Sequence, residues 1–363
     1  MIRKRYLDVD VVSAAKQRIK DEFANGRHIV LSFSGGKDSL VLAHIVLGLV
    51  QAGEIDKSLL TVAFVDEEAM YDDVIEIVKQ WRIRFMQEGI RFDWYCIPVK
   101  HFNCLNTMSD DETFICWDPR KKDVWVRERP SFAITDDKFL IPYKDNYQSF
   151  WERKCKACGL TAMIGVRVAE SIKRYKNLAR FKSYNGKSYP IYDMTDKDIW
   201  LYLFKYGIEI PVAYENLYRV GTPINQLRIS QFFSIDTAKS LVSLGEMYPD
   251  LMERVTRREP NAYLCAMYWD TEMFGRSTRK RRELEGKEID QKDYKKLAMS
   301  IINSDNPEHP EIVKGIKNVI IKASHFMDKK DWKAIYQVLI TGDPKRRTLR
   351  AIIQNIWGKE NTK

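Results

Sequence analysis

A buried strand that leads through two glycines into an apolar helix constrains the fold of this chain more than any other feature. The apolar pattern predicts a strand over residues 28–33 and a helix over residues 39–50. Between them lies the segment that we call the glycine loop, Ser34-Gly35-Gly36-Lys37-Asp38-Ser39. Glycines let the backbone approach an anion closely, and the N–H groups and dipole at the start of a helix attract it. The loop therefore predicts a phosphate-binding site.

The side chains of the glycine loop suit the same purpose. Ser34 and Ser39 supply hydroxyl donors, and Lys37 supplies positive charge. Asp38 either caps the first turn of the helix or helps to hold a Mg²⁺ ion. A Walker A motif would need Gly at position 31 and Ser or Thr at position 38, where the chain has Leu31 and Asp38, so an ordinary P-loop NTPase is excluded.

The remaining pattern predicts an α/β fold with a doubly wound parallel sheet. Strands are predicted at 59–65 and 92–99 with a helix at 72–87 between them, and a further strand and helix at 160–166 and 195–205. Residues 101–155 form an irregular insertion rich in aromatic residues and cysteine, and beyond about residue 221 the chain is helical. We therefore expect an N-terminal helix (1–25), a nucleotide-binding domain (26–222) and a basic helical C-terminal domain (223–363).

The cysteines leave three interpretations open. Cys155 and Cys158 form a single C-x-x-C, which is half of a tetrahedral metal site, and Cys104 and Cys116 in the insertion could complete it as a Zn²⁺ or Fe–S site. The pair could instead exchange thiols and disulfides, or remain plain reduced thiols. Six cysteines in 363 residues are no disulfide framework, and the longest apolar run, residues 40–50, is too short to span a bilayer. We expect a soluble cytoplasmic protein with no membrane contact.

Positive charge is concentrated in the C-terminal region. Of a net charge of +10, residues 271–363 carry 21 Lys and Arg against 13 Asp and Glu. The runs at 276–282 and 345–347, with Trp332 and Trp357 nearby in sequence, are typical of surfaces that bind nucleic acid or an acidic protein. A solvated helical surface with surplus lysine is the alternative.

The glycine loop resembles the PP-loop of the adenine nucleotide α-hydrolase-like superfamily, and within it that of the phosphoadenosine phosphosulfate (PAPS) reductase family. Three further stretches between residues 26 and 222 carry the resemblance: Val65-Asp66-Glu67-Glu68 after the second strand, the Gly-Val-Arg segment at 164–171, and residues 190–200 followed by Ile210-Pro211 and Leu217-Tyr218. The resemblance implies nucleotide contacts from Ser34, Gly35, Gly36, Lys37, Asp38, Ser39, Asp66 and Arg167, with Lys37, Asp38 and Arg167 in catalysis.

The residues themselves also fit this assignment, with alternatives. The guanidinium fork of Arg167 matches phosphate or sulfate geometry, although a surface salt bridge would also explain an arginine there. Asp66, Glu67 and Glu68 could simply be an acidic cluster at a helix N-terminus. Asp198 and Trp200 are expected to be structural.

One departure from the family bears on activity. PAPS reductases carry a C-terminal Cys-Gly-Leu-His-type tail, whereas this sequence has no cysteine after Cys265, and Cys158-Gly159-Leu160-Thr161 lies mid-chain with Thr in place of His. The resemblance therefore implies an enzyme that takes ATP or PAPS and either cleaves ATP between the α and β phosphates to adenylylate a substrate, with Mg²⁺, or transfers a sulfur group. The alternative is a nucleotide-gated regulator or nucleic-acid-binding subunit without catalysis, since some family members without the tail accompany ParB-like partner proteins.

Overall fold

The computed structural model describes ten segments of the chain: residues 8–103, 113–170, 183–184, 186–224, 227–229, 231–233, 241–268, 293–325, 327–343 and 347–360. The chain divides into two compact units, Met1–Phe102 with Thr113–Pro260, and Asn103–Glu112 with Asn261–Lys363. The sequence predicts that residues 223–363 form one C-terminal domain, whereas the first unit of the structure extends to Pro260. Arg258 explains this grouping, because its guanidinium donates to the buried carboxylate of Glu68 at 2.7 Å.

The described part of the first unit contains a six-stranded sheet in the spatial order β3-β2-β1-β6-β8-β7. All neighbouring pairs are parallel except β7–β8, and a separate antiparallel ladder joins β4 to β5. The strands are β1 Ile29–Ser32, β2 Leu60–Val65, β3 Arg91–Tyr95, β4 Lys100–Phe102, β5 Thr113–Ile115, β6 Thr161–Ile164, β7 Ser183–Tyr184 and β8 Lys187–Ser188.

The first unit also contains eight of the described helices. They are α1 Val11–Ala24, α2 Lys37–Gln51, α3 Asp72–Gln87, α4 Tyr147–Cys158, α5 Asp196–Lys205, α6 Ala213–Arg219, α7 Leu241–Met247 and α8 Pro249–Arg258. The alternation of strands and helices determines on which face of the sheet the connecting helices lie. The crossovers from β1 to β2 and from β2 to β3 are right-handed, so α2 and α3 lie on one face of the sheet. The chain then returns to the other side of β1 as β6, so α4 covers the opposite face. The predicted α/β fold with a doubly wound parallel sheet is confirmed.

The core of the first unit follows from the apolar character of the central strands. In β2 five of six residues are buried, as expected for a strand covered on both faces. Phe33, directly after β1, lies against Trp81 of α3 with ring centroids 5.8 Å apart. This packing fixes the direction in which the chain leaves β1 and enters the glycine loop.

The described part of the second unit is helical. Its helices are α9 Asn261–Tyr268, α10 Tyr294–Ile302, α11 Pro310–Ala323, α12 Lys329–Thr341 and α13 Arg347–Glu360. Apolar side chains at helical spacing, with Ile316, Ile335 and Ile356 fully buried, form its core. The basic run at 276–282, together with Lys345 and Arg346, lies outside the described residues. None of the helices in the described segments combines the length and the apolar character needed to cross a membrane.

Candidate functional site

The glycine loop lies where the strand order of the sheet reverses. β1 is flanked by β2 on one side and β6 on the other, so the loops that follow β1 and β6 both open at this edge. Ligands of open α/β sheets bind in the crevice at such a point. The sheet therefore brings the glycine loop and Arg167, which follows β6, to the same place.

Gly35 is the residue that the turn requires to be glycine. Its φ is +73°, which side chains disfavour, and a Cβ there would lie 2.8 Å from Val78 Cγ2 and 3.0 Å from Val74 Cγ1. Gly36 has an ordinary backbone conformation and is the N-cap of α2. A Cβ on Gly36 would lie 3.3 Å from the hydroxyl oxygen of Tyr214.

The two serines close the glycine loop on itself. Ser39 Oγ accepts from the Ser34 N–H at 3.2 Å and donates to the Gly36 carbonyl at 2.9 Å. Ser34 Oγ lies 3.1 Å from Ser39 Oγ and accepts a long hydrogen bond from the Gly36 N–H. These bonds hold the turn in one shape before any ligand arrives.

Lys37 points into the protein rather than toward solvent. Its backbone N–H donates to Tyr214 Oη at 2.9 Å, and its ammonium donates to the Leu227 carbonyl at 3.1 Å. The ammonium also lies 3.5 Å from the Asp38 carboxylate. Burial lowers the pKa of Lys37, and the Asp38 carboxylate opposes that shift.

Arg167 lies against the start of α2 and is almost completely buried. Its Nε donates to Asp38 Oδ1 at 2.6 Å, and its Nη2 donates to Asp196 Oδ1 at 2.8 Å. Gly165 permits this approach, because a Cβ there would lie 3.2 Å from the Asp38 carbonyl. The structure thus joins Arg167 to Asp38, and contact of either residue with a nucleotide stays a prediction.

Asp66 differs from the other predicted nucleotide ligands, because its carboxylate is fully enclosed. It accepts from Trp94 Nε1 at 2.9 Å and from the Glu68 N–H at 3.0 Å, and it forms an ion pair with Arg127. The carboxylate could reach a nucleotide only by giving up these donors. In this structure it ties the insertion to the end of β2.

Glu67 borders a cavity, whereas the carboxylate of Asp66 is enclosed by the protein. The Glu67 side chain lines a cavity of about 760 Å³ between one face of the sheet and α4. Oε1 lies 3.3 Å from His101 Nε2, and Oε2 accepts from the Gln231 N–H at 3.3 Å. The floor of the cavity is formed by strand residues and its walls by aromatic side chains and α4, including Val30, Ser32, Ala63, Ala162, Ile164, Tyr147, Trp151, Cys155 and Tyr189.

The predicted metal ligands do not assemble within the described residues. Cys116 is buried with its sulfur 3.7 Å from Tyr147 Oη, Cys155 lines the cavity, and Cys158 is exposed. Burial raises the pKa of both Cys116 and Cys155. Among the described residues no three His, Cys, Asp or Glu side chains are grouped to hold a metal ion, and Cys104 lies outside them. A Zn²⁺ or Fe–S site that includes Cys104 stays a prediction.

Comparison with known proteins finds distant similarity. No family model matches the chain. It is 25% identical over 384 residues to the uncharacterized protein YbdN of Escherichia coli K12, covering 94% of this chain and 90% of YbdN. Among solved structures it is similar to Candida glabrata FMN adenylyltransferase (14% identity, TM-score 0.36, 57% of this chain and 58% of that one). It is also similar to the U34-tRNA thiolase NcsA of Methanococcus maripaludis, solved with its 4Fe–4S cluster (11% identity, TM-score 0.32, 70% and 78%). Similarity at these levels assigns no activity to this chain.

Proposed function

We propose that the first unit binds an adenine nucleotide, with the phosphates on the glycine loop and the base in the cavity beside β1, and cleaves ATP between the α and β phosphates to adenylylate a second substrate. The observation that carries the proposal is the shared position of loop and cavity at the point where the strand order reverses. Ser32 lines the cavity and lies two residues before Ser34, the first residue of the glycine loop, so a ligand could extend from the cavity to the loop.

The phosphate end is supported by the start of α2. The first N–H groups of a helix have no partner within the helix, and here they follow a turn whose shape is fixed by Gly35 and the two serines. Because backbone N–H groups rather than long side chains are aimed at the anion, the site loses little entropy on binding.

The base end is supported by the shape of the cavity. Ala63 and Ala162 leave room above the sheet, while Tyr147, Trp151 and Tyr189 offer aromatic surfaces for a planar ring. The volume of about 760 Å³ lies within the range of small-molecule sites. Glu67 would accept a hydrogen bond from an amino group of the ligand.

Two of the residues predicted to be catalytic are supported as positioning residues. Arg167 donates a hydrogen bond to the Asp38 carboxylate, which in turn faces the Lys37 ammonium. Positive charge close to a departing pyrophosphate would stabilise it, and Lys37 is the cationic group of the loop that could turn toward it. If the Lys37 ammonium turned away from its present position to reach a phosphate, it would give up its bond to the Leu227 carbonyl.

The described residues do not by themselves fit a resident Mg²⁺ ion. Asp38 is the carboxylate of the glycine loop, and its two oxygens already face the cationic groups of Arg167 and Lys37. Mg²⁺ is commonly held by one or two carboxylates together with substrate phosphates, so an ion would have to enter with the nucleotide.

Binding measurements with ATP, pyrophosphate and PAPS test the proposal. A methyl group in Gly36→Ala should obstruct the approach of an anion to the backbone and weaken ATP and pyrophosphate alike, whereas Ala63→Leu should fill the cavity and weaken ATP only. Gly48→Ala is the matched control, because its methyl group would meet open space on the same helix. Undiminished ATP affinity in both folded variants would refute the assignment.

Product analysis then separates the enzyme from its alternatives. Release of pyrophosphate from ATP, with the AMP recovered on the second substrate, supports adenylylation. Transfer or reduction of the sulfonate of PAPS would instead support the sulfonucleotide reaction, and tight ATP binding without turnover under any condition would support a nucleotide-gated regulator.

A further inference from the structure

The hydroxyl of Tyr214 already accepts a backbone N–H that, in the proposed function, would donate to a phosphate. Tyr214 lies on α6, 177 positions from Lys37 in sequence, and its hydroxyl oxygen accepts the Lys37 N–H at 2.9 Å. The same oxygen would be 3.3 Å from a Cβ on Gly36. The phenol therefore lies directly on the backbone that a phosphate oxygen would approach.

Apolar packing holds Tyr214 in this position. Its side chain is 3% exposed and forms a cluster with Leu217 and Leu227, and its ring meets Trp200 edge to face at 5.6 Å. Burial also raises the pKa of Tyr214, so the group on the loop is a neutral phenol. A neutral hydroxyl is a weaker acceptor for an N–H than a charged phosphate oxygen.

Residues near Leu227, which follow α6 in sequence, make further contacts with the loops at the ends of β1 and β2. The Leu227 carbonyl accepts from the Lys37 ammonium, and farther along the Gln231 N–H donates to Glu67 at the cavity. The Phe232 N–H donates to the Ala69 carbonyl at 3.2 Å. Backbone groups beyond α6 thus contact both the glycine loop and the loop after β2.

We propose that Tyr214 is a latch on the nucleotide site: its hydroxyl stands in for a phosphate oxygen on the Lys37 N–H while the site is empty, and nucleotide binding displaces it. The inference rests on the proposed function. One N–H at this geometry serves one strong acceptor, so binding has to include release of the phenol. A site that is open for only part of the time shows an apparent affinity reduced by that fraction.

The substitution Tyr214→Phe tests the latch, because it keeps the ring and its packing and deletes the oxygen. We expect pyrophosphate and ATP to bind about fivefold more tightly, which corresponds to about 1 kcal/mol for one lost hydrogen bond. Hydrogen exchange of the Lys37 amide in the ligand-free protein should be faster in this variant. Tyr218→Phe is the matched control, because Tyr218 lies one turn later on α6 and is exposed.

The outcomes separate the latch from the proposed function. Weaker binding by Tyr214→Phe would show that the hydroxyl is a ligand of the phosphate, and unchanged binding would show that it is a bystander; either result overturns the latch while leaving the nucleotide site in place. If neither the wild-type protein nor the variant binds pyrophosphate or ATP, the proposed function itself fails and the latch fails with it.

Discussion

Gly35→Ala should destabilise the first unit far more than Gly36→Ala, although the two glycines are adjacent. An alanine at position 35 would have to keep a φ of +73°, which costs about 1 kcal/mol for a residue with a Cβ. Its methyl group would also lie 2.8 Å from Val78 Cγ2, and overpacking of this kind costs about 1–3 kcal/mol. We expect a loss of about 2–4 kcal/mol in the free energy of unfolding.

Gly36 provides the internal comparison. Its backbone conformation, with φ of −80°, is open to alanine, and its closest contact is the hydroxyl oxygen of Tyr214 at 3.3 Å. We expect Gly36→Ala to cost less than about 1 kcal/mol. Urea denaturation followed by circular dichroism measures both values, with the midpoint and the slope reported separately because a changed slope would signal an altered unfolded state.

A double-mutant cycle separates the steric part of the effect from the backbone part. Val78→Ala removes the methyl group that an alanine at position 35 would strike, so the cost of Gly35→Ala should fall by about 1 kcal/mol in that background. The backbone part should remain. Additive costs would show that Val78 does not confine the turn, and a Gly35→Ala protein as stable as wild type would refute the positive φ as well.

Three further predictions concern other parts of the first unit. Hydrogen bonds from Arg153 lower the pKa of Asp145 to about 2. The ionised carboxylate should therefore stabilise the folded protein fully above about pH 4, and this stabilisation should be lost as the pH falls toward 2. In urea denaturation, Asp145→Asn should have a lower free energy of unfolding than wild type at pH 7 and a nearly equal one at pH 2. Arg167→Met should cost about 2 kcal/mol of unfolding free energy, because it removes the guanidinium from the partly exposed carboxylates of Asp38, which keeps only Lys37, and of Asp196; unchanged stability of that variant would contradict the network. Incubated with PAPS and reduced thioredoxin, the protein should release no sulfite, and sulfite lost again in Cys158→Ser would make that exposed thiol the nucleophile after all.

Local sequence patterns predicted the helices that flank the sheet well, because each pattern depends only on neighbouring residues. The helix predicted at 72–87 has these bounds in the structure, and the helix predicted at 195–205 is observed at 196–205 with Thr195 as its cap. The insertion was predicted to be irregular, and there the structure differs by forming α4. Its signal is an Asn146 capping box with Ser149, which a search for apolar periodicity does not detect.

Counting along the strand separates Asp66 from Glu67, but only the structure shows which face of the sheet carries the cavity. Side chains alternate between the faces of a strand, so Ala63 and Glu67 share a parity that Asp66 does not. Ala63 and Glu67 do line the cavity, and Asp66 turns toward Trp94 in the core. Tyr214 and Asp196 had no such signal, because their roles depend on contacts with residues 177 and 29 positions away.

The side chains of the glycine loop are satisfied largely by the protein itself, and this bears on how an anion would be held. Lys37, Asp38 and Arg167 form a connected series of hydrogen bonds and ion pairs that ends on Asp196. Side chains already paired with charged partners would bind a phosphate only by exchanging one such partner for another, which gains little free energy, whereas the Lys37 N–H at the start of α2 would exchange the neutral phenol of Tyr214 for a charged acceptor. The backbone is therefore expected to supply most of the affinity and the side chains to preserve the shape of the loop. We therefore expect truncation of the side chain in Lys37→Ala to weaken nucleotide binding less than the single added methyl group in Gly36→Ala.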